Sequence, residues 1–94
     1  MVNMNFLLIM INYKNMKLLV TGGCGFIGSN FIKEQVLKSK NSILNIDKLT
    51  YAANPSNLNF LSQNQSYQFV KGDINDPNLI LDCLNSYKPN VIVN

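Results

Sequence analysis

The stretch KLLVTGGCGFIG, Lys17 to Gly28, constrains this chain more than any other. Leu18, Leu19 and Val20 form a short continuous apolar run bounded by glycines, the pattern of a strand buried on both faces in a parallel sheet. Gly22, Gly23 and Gly25 then interrupt the run. From Phe26 the spacing turns helical: Ile27 and Phe31 are four apart, as are Ile32 and Val36, and Leu37 extends the stripe toward Lys38 and Lys40. A strand that feeds a helix through a glycine loop aims unpaired N–H groups and the positive end of the helix dipole at one point. KLLVTGGCGFIG therefore predicts a phosphate cradle, and the lysines that follow suit the negative end of the same helix.

The remaining chain repeats the alternation. Ser42 to Ile46 reads as a second strand closed by Asp47, and Pro55, Leu58 and Leu61 mark a short helix. Asn64 to Ser66 is a turn, and Tyr67 to Val70 a third strand followed by Gly72 and Asp73. Asp76 before Pro77 is a helix start, because a carboxylate caps free N–H groups and proline presets φ. Leu79, Ile80, Cys83, Leu84 and Tyr87 form the expected buried stripe of that helix, Pro89 stops it, and Val91 to Val93 begins a fourth strand. Strands alternating with helices predict an α/β fold with a parallel sheet and right-handed crossovers.

Composition narrows the alternatives. The chain has 94 residues and a net charge of +3, from eight lysines, no arginine and five acids. Scattered lysines with no interleaved aromatics make no nucleic-acid face. Cys24 and Cys83 are isolated and histidine is absent, so no metal site, disulfide framework or activated catalytic thiol is expected. Both cysteines are expected to be reduced thiols, which predicts a cytoplasmic protein. The apolar run Phe6 to Ile11 is too short for a bilayer, which takes ~20 residues, and it lacks a signal peptide's basic start and cleavage site. Residues 1–15 are expected to be an extension ahead of a start at Met16, with a short added helix or weak membrane-surface contact as the alternative.

Gly22, Gly25 and Gly28 follow G-x-x-G-x-x-G, a variant of the dinucleotide fingerprint. Gly22 would permit the tight turn, Gly25 the close approach of backbone to a pyrophosphate, and Gly28 tight packing of helix on sheet. Cys24, Phe26 and Ile27 would offer N–H donors. Asp47 lies 19 residues beyond Gly28, close to the ~20 at which an acid meets the ribose hydroxyls and repels a 2′-phosphate. That favours NAD over NADP. Asp73 is placed to meet an adenine amino group, or is simply a turn aspartate after Gly72. Lys48 stands on the adenosine side, or is a surface lysine. The pattern predicts the N-terminal half of a Rossmann fold, residues 16–94, with spatial strand order 3-2-1-4. Two Y-x-x-x-K spacings, Tyr13/Lys17 and Tyr67/Lys71, are decoys. The second lies on a strand, where residues four apart are ~13 Å apart.

With these residues placed, MKLLVTGGCGFIGSNFI, NIDKLTYAAN, FVKGDI and YKPNVIVN resemble the extended short-chain dehydrogenase/reductases, and within them the dTDP-glucose 4,6-dehydratase family. TGGxGFIG is shared widely there, whereas DKLTYA is more particular. Ala53 stands where that family often has glycine, and Cys24 where alanine is common. The resemblance implies NAD held by Gly22, Gly25, Phe26, Ile27 and Gly28. It implies the adenosine ribose on Asp47, with Lys48, Leu49 and Thr50 lining that side and Asp73 and Ile74 flanking the adenine. It also implies oxidation of a hexose at C4 by NAD, loss of water across C5 and C6, return of hydride to C6, and a homodimer.

The family's catalytic Thr, Asp, Glu and helical Y-x-x-x-K have no counterpart in these residues, so no catalytic residue is assigned. The expectation is a piece truncated after the fourth strand and inactive alone, taking a dTDP-sugar only if a C-terminal part is supplied. A free-standing module that complements a separate half, and a related epimerase or decarboxylase fragment, are the alternatives.

Overall fold

The computed structural model describes residues 15–49 and 55–93. Thr50 and all of the expected N-terminal extension except Asn15 lie outside them. Four strands, β1 (Lys17–Thr21), β2 (Ser42–Asp47), β3 (Tyr67–Lys71) and β4 (Val91–Val93), form one sheet in the order β3-β2-β1-β4. All three pairings are parallel, with Leu18 opposite both Ile43 and Val91. Helix α1 (Phe26–Leu37) follows β1, a 3-10 helix (Pro55–Leu61) follows β2, and α2 (Pro77–Tyr87) follows β3. The expected α/β architecture and strand order are both present.

Side-chain alternation along the central strands explains the two layers. Leu18, Val20, Ile43 and Val93 pack on one face against Ile32 and Val36 of α1 and Leu58 and Leu61. Leu19, Leu44 and Ile46 point the other way, against Cys83 and the half-buried Leu79, Ile80, Leu84 and Tyr87 of α2. A sheet covered on both faces needs continuous apolar runs, which is why β1 reads as it does.

The α1 stripe differs from the expected one. Its buried face is Ser29, Ile32, Gln35 and Val36, while Ile27 and Leu37 are exposed. At 100° per residue Ile27 and Leu37 stand roughly 140° from the centre of that face, too far to reach the sheet. Gln35 is buried instead, accepting from Asn41 Nδ2 at 2.6 Å. The helix also ends earlier than its lysines: Lys38 is the C-cap and pairs with Glu34 at 3.1 Å. Helix α2 starts as read, with Asp76 accepting from the N–H groups of Asn78 and Leu79 at 3.1 and 3.3 Å. Asn90 ties β4 to β1, donating to Lys17 O and accepting from Lys17 N, both at 2.7 Å.

Burial pushes the thiols of Cys24 and Cys83 and the phenol of Tyr67 up, and Tyr87 up to about 12. A group whose folded pKa is raised stabilises the fold below its unfolded pKa, and that contribution is lost as pH rises through the folded value. Thermal melts should therefore hold steady from about pH 6 to about pH 8 and fall progressively toward pH 12, where the unfolded chain ionises first. A midpoint unchanged between pH 8 and 11 would contradict this.

Candidate functional site

The loop between β1 and α1 is shaped from β2. Gly22 turns out of the strand with φ +71°, a conformation that glycine adopts without penalty. Its N–H donates to Ile46 O at 3.0 Å, the Gly23 N–H to Asn45 Oδ1 at 3.0 Å, and the Cys24 N–H to Asp47 Oδ2 at 2.8 Å. Gly25 then donates to Gly22 O at 3.3 Å and begins α1 as its N-cap.

The other glycines fall into two kinds. A Cβ on Gly28 would stand 2.7 Å from Gly22 O and 2.9 Å from Gly23 Cα, so the helix can approach the loop only because no side chain is there. Gly25 is different. Its backbone is extended (φ −73°, ψ 172°), and a Cβ would meet only Gly22 O at 3.6 Å, an ordinary contact. Nothing in the fold itself demands glycine at 25. The helix that it opens has no side-chain cap, and Phe26 and Ile27 stand 79% and 62% exposed in the first turn.

Asp47 ends β2, only 6% exposed. Beyond gripping Cys24, it accepts the Leu49 N–H on Oδ1 at 2.8 Å, which holds Leu49 at φ +61°, an uncommon conformation for leucine. Its carbonyl accepts the Gly72 N–H at 3.1 Å and so brings the end of β3 alongside. A cleft of about 310 Å³ opens there, at the carboxyl ends of β1, β2 and β3, with Gly22, Asp47, Lys48, Asp73 and Ile74 in its walls. Lys48 and Asp73 meet at 3.2 Å. The Asn75 N–H, on Asp73 Oδ1 at 2.8 Å, and the Lys48 ammonium hold the Asp73 carboxyl below its ordinary value.

Of the expected residues, then, five share one cleft. Gly25, Phe26, Ile27 and Gly28 form the helix side of the loop, Leu49 is held by Asp47, and Thr50 lies outside the described residues. One expectation is corrected: the Cys24 N–H is not a free donor, because Asp47 already takes it. The Cys24 thiol is buried too. The second decoy also resolves. Tyr67 turns its hydroxyl inward to Asn45 Nδ2 at 3.1 Å, at the opposite end of β3 from Lys71.

Sequence reasoning missed Asn45, a polar residue in an apolar run, and the close approach at Gly23, where a Cβ would stand 2.2 Å from Asn45 Oδ1. The polar residue within the second strand was the available signal. A larger cleft, about 540 Å³, lies between α2 and β2–β3, but Lys17 in its wall is turned to Tyr87, 3.2 Å from the carbonyl and 5.3 Å from the ring centroid. Among the described residues no acid, cysteine or histidine cluster could hold a metal ion, and no helix is long and apolar enough to cross a membrane.

A parallel α/β sheet in the order 3-2-1-4, with a glycine loop and an acid at adjoining strand ends, defines the class: the first half of a dinucleotide-binding fold. The family model described as GDP-mannose 4,6 dehydratase matches residues 19–94, and the chain belongs to that family. It is 45% identical over 78 residues to dTDP-glucose 4,6-dehydratase of Haemophilus influenzae, a match covering 83% of this chain and 23% of that protein. Among solved structures it is similar to dTDP-glucose 4,6-dehydratase from Bacillus anthracis in complex with NAD, at TM-score 0.75 and 41% identity, covering 84% of this chain and 26% of that one. DesIV, a dTDP-glucose 4,6-dehydratase from Streptomyces venezuelae with NAD and TYD bound, matches at TM-score 0.66 and 41% identity over 73% of this chain and 23% of its own. The chain thus spans about a quarter of the length of the relatives it matches. The resemblance drawn from TGGCGFIG and DKLTYA is borne out.

The glycines make separable predictions. Gly28→Ala should destabilise the fold by about 1–3 kcal/mol through overpacking against backbone, whereas Gly25→Ala should stay within about 0.5 kcal/mol. Urea unfolding of both variants checks this, and equal losses at the two positions would refute it.

Proposed function

We propose that residues 16–94 bind NAD as the dinucleotide-binding portion of a dTDP-glucose 4,6-dehydratase, an enzyme of nucleotide-sugar biosynthesis. The observation that carries this is the uncapped start of α1 behind Gly25. The missing side chain serves no need of the fold, and it leaves open the approach that a pyrophosphate would use to reach the first-turn N–H groups. The relatives support the same assignment, since two structurally similar dTDP-glucose 4,6-dehydratases carry NAD.

The residues present fit such a group. Gly22 and Gly28 shape the turn and its helix, and Phe26 and Ile27 contribute backbone N–H groups to the pyrophosphate. Each Asp47 oxygen already accepts one N–H, and a carboxylate oxygen has a second acceptor site. Those sites would receive the ribose hydroxyls, and the buried charge would repel a 2′-phosphate. Asp73, kept ionised by Asn75 and Lys48, would accept from the adenine amino group beside Ile74. Lys48, Leu49 and Thr50 would line the ribose side. In such an enzyme bound NAD supplies reversible hydride acceptance from the sugar. Among the described residues no Tyr and Lys share a helix at Y-x-x-x-K spacing, and the role proposed for this stretch is to bind the cofactor. The two buried free thiols fit a reducing, cytoplasmic setting.

Calorimetry on the 94-residue chain tests the assignment. NAD should bind more tightly than NADP, and Asp47→Ala and Gly25→Ala should each weaken NAD by about tenfold or more. Undiminished affinity in both variants would remove the loop and Asp47 from the site. No product should form from dTDP-glucose, and turnover above background would show that catalytic groups have been overlooked.

A further inference from the structure

Asn45 has no part in the contacts assigned to NAD, yet it is 0% exposed. It lies on the α1 side of β2, on the same face as Ile43 and opposite Val20 of β1. An amide in such surroundings is costly unless both of its ends are paired. Both are. Oδ1 accepts the Gly23 N–H at 3.0 Å; Nδ2 donates to Tyr67 Oη at 3.1 Å and lies 3.5 Å from Cys24 Sγ. A backbone N–H only donates, so the oxygen must face Gly23 and the NH2 group must find its acceptor elsewhere. Tyr67, on β3, supplies that acceptor. The thiol is a weak one.

Three successive residues of β2 thus hold three successive loop N–H groups: Ile46 takes Gly22, Asn45 takes Gly23 and Asp47 takes Cys24. Ile46 uses its backbone carbonyl and is insensitive to side chain. Asp47 is itself a proposed ligand of the ribose. Asn45 is the member whose side chain holds the loop without being a proposed ligand contact.

We propose that Asn45, oriented by the Tyr67 hydroxyl, is a positioning residue for the dinucleotide: it fixes the glycine loop before the ligand arrives, so that the Phe26 and Ile27 N–H groups already converge on the pyrophosphate. Ordering done in advance is not charged against binding. The inference rests on the NAD assignment above and adds a contact one layer beneath the ligand. It also gives Tyr67 a role: the phenol is a hydrogen-bond acceptor for Asn45 rather than a proton-transfer group.

The test uses the full 94-residue chain, with Tyr67→Phe as the main variant because it removes one oxygen and keeps the ring, and Asn45→Ala as the second. In nucleotide-free protein, Gly23 amide exchange should quicken about fivefold or more in Tyr67→Phe while the Leu19 amide in β1 keeps its rate. NAD affinity should fall about fivefold in the same variant, and the double variant should bind no worse than Asn45→Ala alone, because the two residues act in series. Unchanged Gly23 exchange, unchanged NAD affinity in Tyr67→Phe, or additive losses in the double variant would each overturn the proposal. A wild-type chain that binds no NAD defeats the assignment of the cleft. Wild-type binding with an unaffected Tyr67→Phe defeats only the positioning role.

Discussion

The end of β2 gripping the β1–α1 loop is the interaction on which the rest of the site depends. Parallel pairing sets Thr21 opposite Ile46, and from that register the Ile46 carbonyl and the side chains of Asn45 and Asp47 reach the loop N–H groups. Shifting β2 by one residue would turn Asn45 and Asp47 to the α2 face and present Leu44 and Ile46 to α1 instead. The apolar alternation that packs two helix layers therefore also aims the polar groups that form the loop.

Much of this was readable in the sequence because it is local. The run Leu18–Val20, the glycines after it, and Asp76 before Pro77 each specify their own backbone. What stayed hidden depends on contacts between segments. Ile27 and Leu37 are apolar and near helical spacing, but which face of α1 is buried was decided by the sheet, which selected Ser29 and Gln35. Asn45 drew no notice in a strand read as apolar, and its role is legible only with Gly23 and Tyr67 beside it. Asp47 could be read as a ligand for ribose from its distance beyond Gly28, but its grip on Cys24 and Leu49 requires the folded loop. Cys24 accordingly contributes its N–H to the protein and none to a ligand.

The glycines separate demands of folding from demands of function. Gly22 needs its positive φ and Gly28 its close contact, and any chain with this turn would need both. Gly25 meets neither demand, so its lack of a side chain points outward, to whatever approaches the start of α1. Asp47 and Asp73 stand on the other side of the loop, at the ends of β2 and β3. The proposed dinucleotide would supply an anion at the helix and a hydroxyl-rich, amino-bearing group along the strand ends, since its parts span both.

Titration of the isotopically labelled 94-residue chain with NAD, followed amide by amide in NMR spectra, tests this most directly. The structure predicts that saturating NAD moves the amides of Phe26 and Ile27 together with those of Asp47, Lys48, Asp73 and Ile74, and leaves Gln65, Gln68 and Ser86 by the α2 groove in place. Shifts that spare Phe26 and Ile27, or that gather along the α2 groove, would contradict it.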